Sequence, residues 1–356
     1  MVSQEVGVRV SRNVVAIVSS VLFVILAALL VVTPVPFVTW RPGNTINVFD
    51  SNGDGPLVQV KGVQNYPTGA SKLLMTTVST TRVDANVSLP EALLAHFNPR
   101  SDVLPRDVVY PVGLSDQDVR QEAVAAMDTS RSNATVAALG AAGQQVTEMP
   151  MVESVVLSGP SNDLLQPGDL IQAVDGRDVT TRDEVVELIA QRSVGDDVVF
   201  KVMRDGASKT ETVKTEEGNR ATPVAGITVG TGYSYAPDVV YRVDSSVVGP
   251  SAGLVFSLAI YDKITEPNLL GDAIIAGTGS MDPAGKVGAI GGVREKIAGA
   301  EEAGASVFLL PSANCDDVGD LRTKMRLVPV STLKDAIRAL QKINEGKSYA
   351  EVPTCG

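Results

Sequence analysis

The pattern of apolar and polar positions breaks first near the N-terminus. From Asn13 to Trp40 no residue is charged, and Val14 to Val32, VVAIVSSVLFVILAALLVV, is almost wholly apolar. At about 1.5 Å per helical residue this run spans roughly 28 Å, close to the thickness of a bilayer's hydrocarbon core. Arg9 and Arg12 precede it, and Trp40 and Arg41 follow. The pattern predicts a single-pass anchor over residues 14–35, with residues 1–13 in the cytoplasm and the remainder outside. A cleaved signal peptide would end in a small-x-small site, whereas TPVPF follows here. Residues 36–56 are rich in Gly, Asn and Asp and predict a linker. LVQVKGV and SKLLMTTVSTTRV show the β-branched, partly alternating pattern of strands. SLPEALLAHF predicts a helix with Ser88 as cap, Pro90 in the first turn and Glu91 three residues on. The stretch from Ser115 to Gly143 reads as helical, with a break around Asp128 to Ser132.

The middle of the chain changes texture. One good helix, Thr181 to Gln191, stands among strand patterns. PGDLIQAVDGRDV places a strand between two tight turns, and FKVMRDGASKTETV predicts a hairpin around Asp205-Gly206. In the last third, strands lead from AGITVGTGYSYAPDVVYRV to the turn at Ser251, where an apolar helix begins. GSMDPAGKVGAIGG reads as a hairpin, followed by the helix GVREKIAGAEEAGA.

Composition narrows the partners. The chain has 356 residues, and 41 acidic residues against 30 basic ones give a formal net charge of −11. No Lys/Arg-rich block stands out, which argues against nucleic acid. The two cysteines, Cys315 and Cys355, form no CxxC or Cys/His cluster, so no metal site is expected. In an oxidising compartment they are placed to pair and pin the C-terminal tail. GSMDPAGKVGAIGG fits neither a phosphate loop, because Gly279 lies six positions before Gly285 and Val287 follows Lys286, nor a dinucleotide fingerprint, so no cofactor is expected.

The chemistry centres on GPSAG at the mouth of the apolar helix. Ser251 fits an N-cap, with Gly249 and Pro250 shaping the turn. It fits equally a nucleophile beside helix-start N–H groups that await an oxyanion. Lys296 has Gly292 and Ala300 four residues to either side, while Arg294, Glu295, Glu301 and Glu302 supply the polar positions. A lysine there either snorkels to the surface or is buried, and burial lowers its pKa towards that of a general base. The single histidine, His96, is remote from both motifs in sequence. A Ser–His–Asp triad would have to recruit it, whereas a Ser–Lys dyad needs no histidine.

SGPSNDLLQPGDLIQAVDGRDVTTRDEVVELI, followed by VVFKVMRDG, resembles a PDZ domain of the bacterial protease-associated type. GPSAGL, TG and VGAIGGVREK resemble the proteolytic domain of Lon proteases in order and spacing. The resemblance implies an α/β (α+β) Lon-type proteolytic domain with an inserted, mainly β PDZ domain and an N-terminal transmembrane helix. It divides the chain into residues 57–140 and 219–356 for the proteolytic domain and 141–218 for the PDZ domain. It implies Ser251 as nucleophile, Lys296 as base and Thr278 as the threonine that orients the lysine. Gly249, Pro250 and Ala252 would support the turn. The acidic residue that Lon often carries two positions before the motif proline is Val248 here. No Walker A motif occurs, so ATP-driven unfolding is not expected from this chain. The implied whole is a membrane-bound PDZ–Lon protein of a bacterial cell membrane. Its bilayer contact would be residues 14–35, and its substrate a peptide or protein at the membrane or outside the cytoplasm. The oligomeric state stays open. The other reading is a non-catalytic PDZ sensor or scaffold that retains the Lon-like fold.

Overall fold

The computed structural model describes residues 12–51, 55–111, 113–266, 268–346 and 352–355. Arg9 and most of the expected cytoplasmic segment lie outside the described residues. The chain divides into two compact units, one of residues 1–60, 64–138 and 239–356 and one of residues 61–63 and 139–238. The first unit opens with α1 (Arg12–Val32), whose segment Asn13–Val32 is long and apolar enough to cross a membrane. From Asn13 to Val32 its side chains are exposed, apart from a half-buried Ala27, with Phe23 at 72% and Val32 at 77%.

Two strands follow, β1 (Phe37–Asn47) and β2 (Lys72–Thr80), paired antiparallel from Trp40↔Thr80 to Asn47↔Leu74. Much of the expected linker 36–56 is therefore a sheet strand. Its turn-forming residues mark a bulge, since the register shifts between Pro42 and Thr45. A Cβ on Gly43 would lie 2.4 Å from Thr77 Oγ1, so only glycine fits the bulge. Pro34–Val35 pairs with Val87–Ser88, which leads into α2 (Leu89–His96). Ser88 Oγ accepts the Glu91 N–H there, as the sequence pattern predicts. β3 (Asp102–Pro105) pairs with the start of β1, and a short helix, Arg106–Val109, follows. α3 (Asp116–Ala141) runs without the expected break at Asp128–Ser132. Its poor helix formers are held instead by an Asp128–Arg131 ion pair (3.1 Å) and by Thr135 Oγ1 donating to the Arg131 carbonyl. Tertiary contacts add to these, with Ser130 and Asn133 donating to the Pro250 and Met281 carbonyls, and together they override local propensity.

The second unit is a sheet of β4 (Val146–Val155), β5 (Leu170–Val174), β6 (Asp197–Arg204), β7 (Ala207–Lys214) and β8 (Ile227–Tyr235), ordered β7-β6-β5-β4-β8. The expected helix is α4 (Arg182–Ala190), closed by a capping box between Thr181 and Glu184. β6 and β7 form the expected hairpin, with Asp205 (φ 51°) and Gly206 (φ 75°) both left-handed as a type I′ turn needs. β8 pairs along all of β4, so the strand after Glu217 belongs to this sheet rather than to the segment leading to Ser251. Val152, Ile171, Val185, Phe200 and Val229 form its core. Arg204 grips the buried Asp169 with two hydrogen bonds (2.7 and 2.6 Å).

The first unit resumes with α5 (Gly253–Ile264), β9 (Ile274–Gly277), α6 (Val293–Glu302), β10 (Val307–Pro311), β11 (Arg326–Val330) and α7 (Leu333–Asn344). These complete one six-stranded sheet in the order β11-β10-β9-β2-β1-β3. The four strands β11, β10, β9 and β2 are parallel, and β1 and β3 extend the sheet antiparallel. Leu74, Ala276, Phe308 and Leu310 pack against Val293, Ile297 and Ala300 of α6. Side chains alternate across a strand, so Gly277 faces the other way, where a Cβ would meet Val255 of α5 at 3.4 Å. The sheet thus separates the helix that starts after Ser251 from the helix that carries Lys296. Cys315 and Cys355 form a disulfide that joins the end of the described chain to the residues just after β10.

Candidate active site

Gly249 adopts φ 95°, a left-handed conformation that favours glycine, and Pro250 opens a 3₁₀ turn through Ala252 that runs into α5. Ser251 does not cap the helix. The cap position falls on Ala252, with no side-chain hydrogen bond, and Ser251 Oγ has no partner among the described residues. The backbone of the turn, by contrast, is fixed from several sides. The Ser251 carbonyl accepts from the Gly279 N–H (2.9 Å) and from Thr278 Oγ1 (3.1 Å). Ser130 Oγ on α3 donates to the Pro250 carbonyl (2.9 Å), and the Gly249 N–H donates to the Ala123 carbonyl (3.0 Å). A Cβ on Gly253 would lie 2.8 Å from Met281 and 2.9 Å from Ser130 Oγ. The second glycine of the motif is therefore a close-packing position.

Lys296 is buried, with 4% of its surface exposed, and its Nζ donates to Thr278 Oγ1 (3.2 Å). Burial pulls its pKa down to about 8, and the neighbouring Glu295 charge opposes the shift. The threonine hydroxyl thus connects the lysine amine to the backbone carbonyl of Ser251. Glu295, expected on the polar face of its helix, is fully buried. α6 lies against β1 and β2 so closely that a Cβ on Gly299 would sit 3.3 Å from the Gly43 carbonyl oxygen. Burial, with Asp102 adding repulsion, pushes the Glu295 carboxyl up to about 7.

Ser251 and Lys296 line one cavity of about 1040 Å³, together with Gly249, Pro250, Ala252, Trp40, Pro42, Thr76, Met127 and Ile290. Thr278 lies fully buried behind it. His96 is exposed on α2 beside Phe97 and is not part of the cavity wall. Among the described residues no group of His, Cys, Asp or Glu is arranged to hold a metal ion. Sequence reasoning took Gly253 as room for a substrate backbone, and it missed Ser130 and Asn133, whose side chain donates to the Met281 carbonyl (3.0 Å). Ser130 and Asn133 left a signal, being polar residues among the buried Met127, Ala134, Ala137 and Ala138 of α3.

Residues 245–342 match the model of the Lon protease (S16) C-terminal proteolytic domain, and residues 137–215 match that of the PDZ domain. The chain carries a PDZ domain and a Lon-type proteolytic domain. Lon protease 1 of Myxococcus xanthus is 33% identical over 110 residues, which are 30% of this chain and 13% of that protein. The Lon protease of Chloroflexus aggregans is 37% identical over 93 residues, 25% of this chain and 11% of its own length. The chain therefore matches only a small fraction of these relatives. A solved PDZ domain of an SdrC-like protein from Listeria monocytogenes is 29% identical, covering 23% of this chain and 86% of its own, with a TM-score of 0.22. The matched Lon-type segment contains Ser251, Thr278 and Lys296, and the cavity lies in the unit that holds it.

Proposed function

We propose that the chain is a membrane-anchored serine endopeptidase that works without ATP through a Ser251–Lys296 dyad. One observation carries the reading: an unpartnered serine hydroxyl and a buried, pKa-lowered lysine face the same cavity. Thr278 supports the division of labour. Its hydroxyl proton goes to the Ser251 carbonyl, so it meets Lys296 as an acceptor. A neutral amine that donates one N–H to Thr278 keeps its lone pair for the Ser251 proton. Ser251 Oγ then attacks the scissile carbonyl, and the ammonium of Lys296 returns the proton to the leaving amine. The acyl-enzyme is released when Lys296 activates a water in the same way. The Ser251 N–H, at the start of the helical turn, is a fitting donor to the oxyanion. Gly249 and Pro250 hold the turn, and the small Ala252 leaves room for a substrate backbone.

In this reading α1 holds the chain in a bacterial cell membrane with residues beyond Arg41 outside the cytoplasm. The PDZ domain selects or positions flexible peptide segments by adding them to a sheet edge. A serine-reactive fluorophosphonate tests the dyad. Labelling is expected at Ser251, lost in Ser251→Ala and in Lys296→Ala, and unchanged in His96→Ala. Labelling that survives Lys296→Ala in folded protein would point to a different base, and absence of labelling in the unaltered chain would favour the non-catalytic sensor.

A further inference from the structure

Several segments converge on the outer end of α1. Pro34–Val35 pairs with Val87–Ser88, the lead into α2, and the Arg106 N–H ties its short helix to the Pro36 carbonyl (3.0 Å). Beside the exposed His96 and Asp107, the large side chains that these segments turn outward are apolar. In α2, Ala92 and Ala95 are buried, whereas Leu93, Leu94 and the following Phe97 are 48%, 75% and 79% exposed. Val108 in the short helix is 69% exposed. Leu93 and Leu94 lie four and three residues before Phe97, so the three share one stripe. That stripe belongs to a helix already joined to the apolar surface of α1, because Leu89 lines a groove with Leu26, Leu29, Leu30 and Val35. Single exposed apolar residues need no explanation, but a stripe beside the end of a membrane-length helix does.

We infer that α2 and the helix Arg106–Val109 rest in the interfacial layer of the bilayer and seat the proteolytic unit on the membrane face. The inference rests on reading α1 as a membrane anchor. Continuity with α1 is what favours lipid over a protein partner as the occupant. An interfacial helix sinks its apolar face about 5–10 Å below the headgroups, enough to cover Leu94 and Phe97. The consequence for substrate is spatial. Trp40, on the cavity wall, follows Val32 by eight residues, so at about 3.3 Å per extended residue it lies within about 26 Å of the anchor's end. The favoured substrate is a segment of another membrane protein that emerges close to the bilayer.

The test uses the full chain in phosphatidylcholine/phosphatidylglycerol vesicles whose acyl chains are either plain or brominated. Tryptophan is introduced singly by Leu94→Trp, Phe97→Trp, Phe23→Trp and Asp320→Trp, and the emission of Trp40 is subtracted. Bromine is expected to quench positions 94 and 97 at least twofold, as it quenches position 23. It is expected to leave position 320, where the side chain is 93% exposed, untouched. Quenching at 23 without quenching at 94 and 97 would leave the anchor standing and overturn this proposal, with α2 then covered by protein or free in water. Absence of quenching at 23 would overturn the anchor and this proposal together.

Discussion

A lysine with 4% of its surface exposed gives up most of the hydration of its ammonium, and the single hydrogen bond to Thr278 replaces little of it. The folded-state pKa of about 8 lies below the ordinary 10.5, so between these values the unfolded chain binds more proton. Stability from this group therefore rises as pH climbs from about 8 to 10.5, and its cost is full below about 8. Lys296→Met keeps the shape and removes the charge. It is expected to raise the melting temperature at pH 7 by about 2–4 °C, the equivalent of roughly 1 kcal/mol, while abolishing peptidase activity. Unchanged or lower stability, measured by calorimetry, would contradict burial of a charge that only function explains. In the proposed mechanism the same pKa sets the rate. About a tenth of the amine is neutral at pH 7 and about nine tenths at pH 9, so turnover of a peptide is expected to rise about tenfold between them. A flat profile would remove Lys296 from the role of base. The shared cavity of Ser251 and Lys296 was foreshadowed in the sequence because each residue stands in a short, fixed motif. The burial of Glu295 was not, because helical periodicity assigns one outer face and cannot see the sheet packed against it, with Asp102 of β3 beside the carboxyl.

At the scale of elements, the Ser251 turn is held by α3 as much as by its own strand and helix. Ser130→Ala leaves the Pro250 carbonyl without its side-chain donor, and is expected to cost about 1 kcal/mol and to slow labelling of Ser251. Gly253→Ala places a methyl group against the backbone and Cβ of Met281, where neither can yield cheaply. Labelling is expected to fall at least tenfold in this variant with the circular dichroism of the native fold retained. Full labelling would show that the turn tolerates displacement. These supports were hidden because a helix pattern shows which residues face inward and not which distant carbonyl they meet. The bulge at Pro42–Asn44 was hidden for a related reason. Proline, glycine and asparagine are turn residues locally, and only the pairing with β2 makes them an irregular strand.

At the scale of the whole molecule, the second unit is longer than the PDZ-like pattern, because β8 completes its sheet. Replacement of residues 143–236 by a Gly/Ser linker is expected to spare labelling of Ser251 and to reduce cleavage of a natural protein substrate. Lost labelling would make the insert a support of the proteolytic unit. The Cys315–Cys355 disulfide closes a 40-residue separation, worth at most about 4 kcal/mol in the chain-entropy model. The double substitution by serine is expected to lower the melting temperature of the proteolytic unit while leaving its labelling at room temperature. The insertion was readable from where the motifs stand; its end was not, since β8 looks like any strand until its partner is known. That nesting also orders events during synthesis. Thr76 on β2 bonds to the Gly277 carbonyl on β9, 201 residues later. At about 5–20 residues per second the ribosome needs roughly 10–40 s to supply that partner. β1, β2 and β3 must wait, while the inserted unit, apart from residues 61–63, is contiguous and free to fold first. The cavity of Ser251 and Lys296 therefore assembles late, long after α1 has emerged. Whatever chemistry that cavity supports is thereby withheld for most of the protein's own birth.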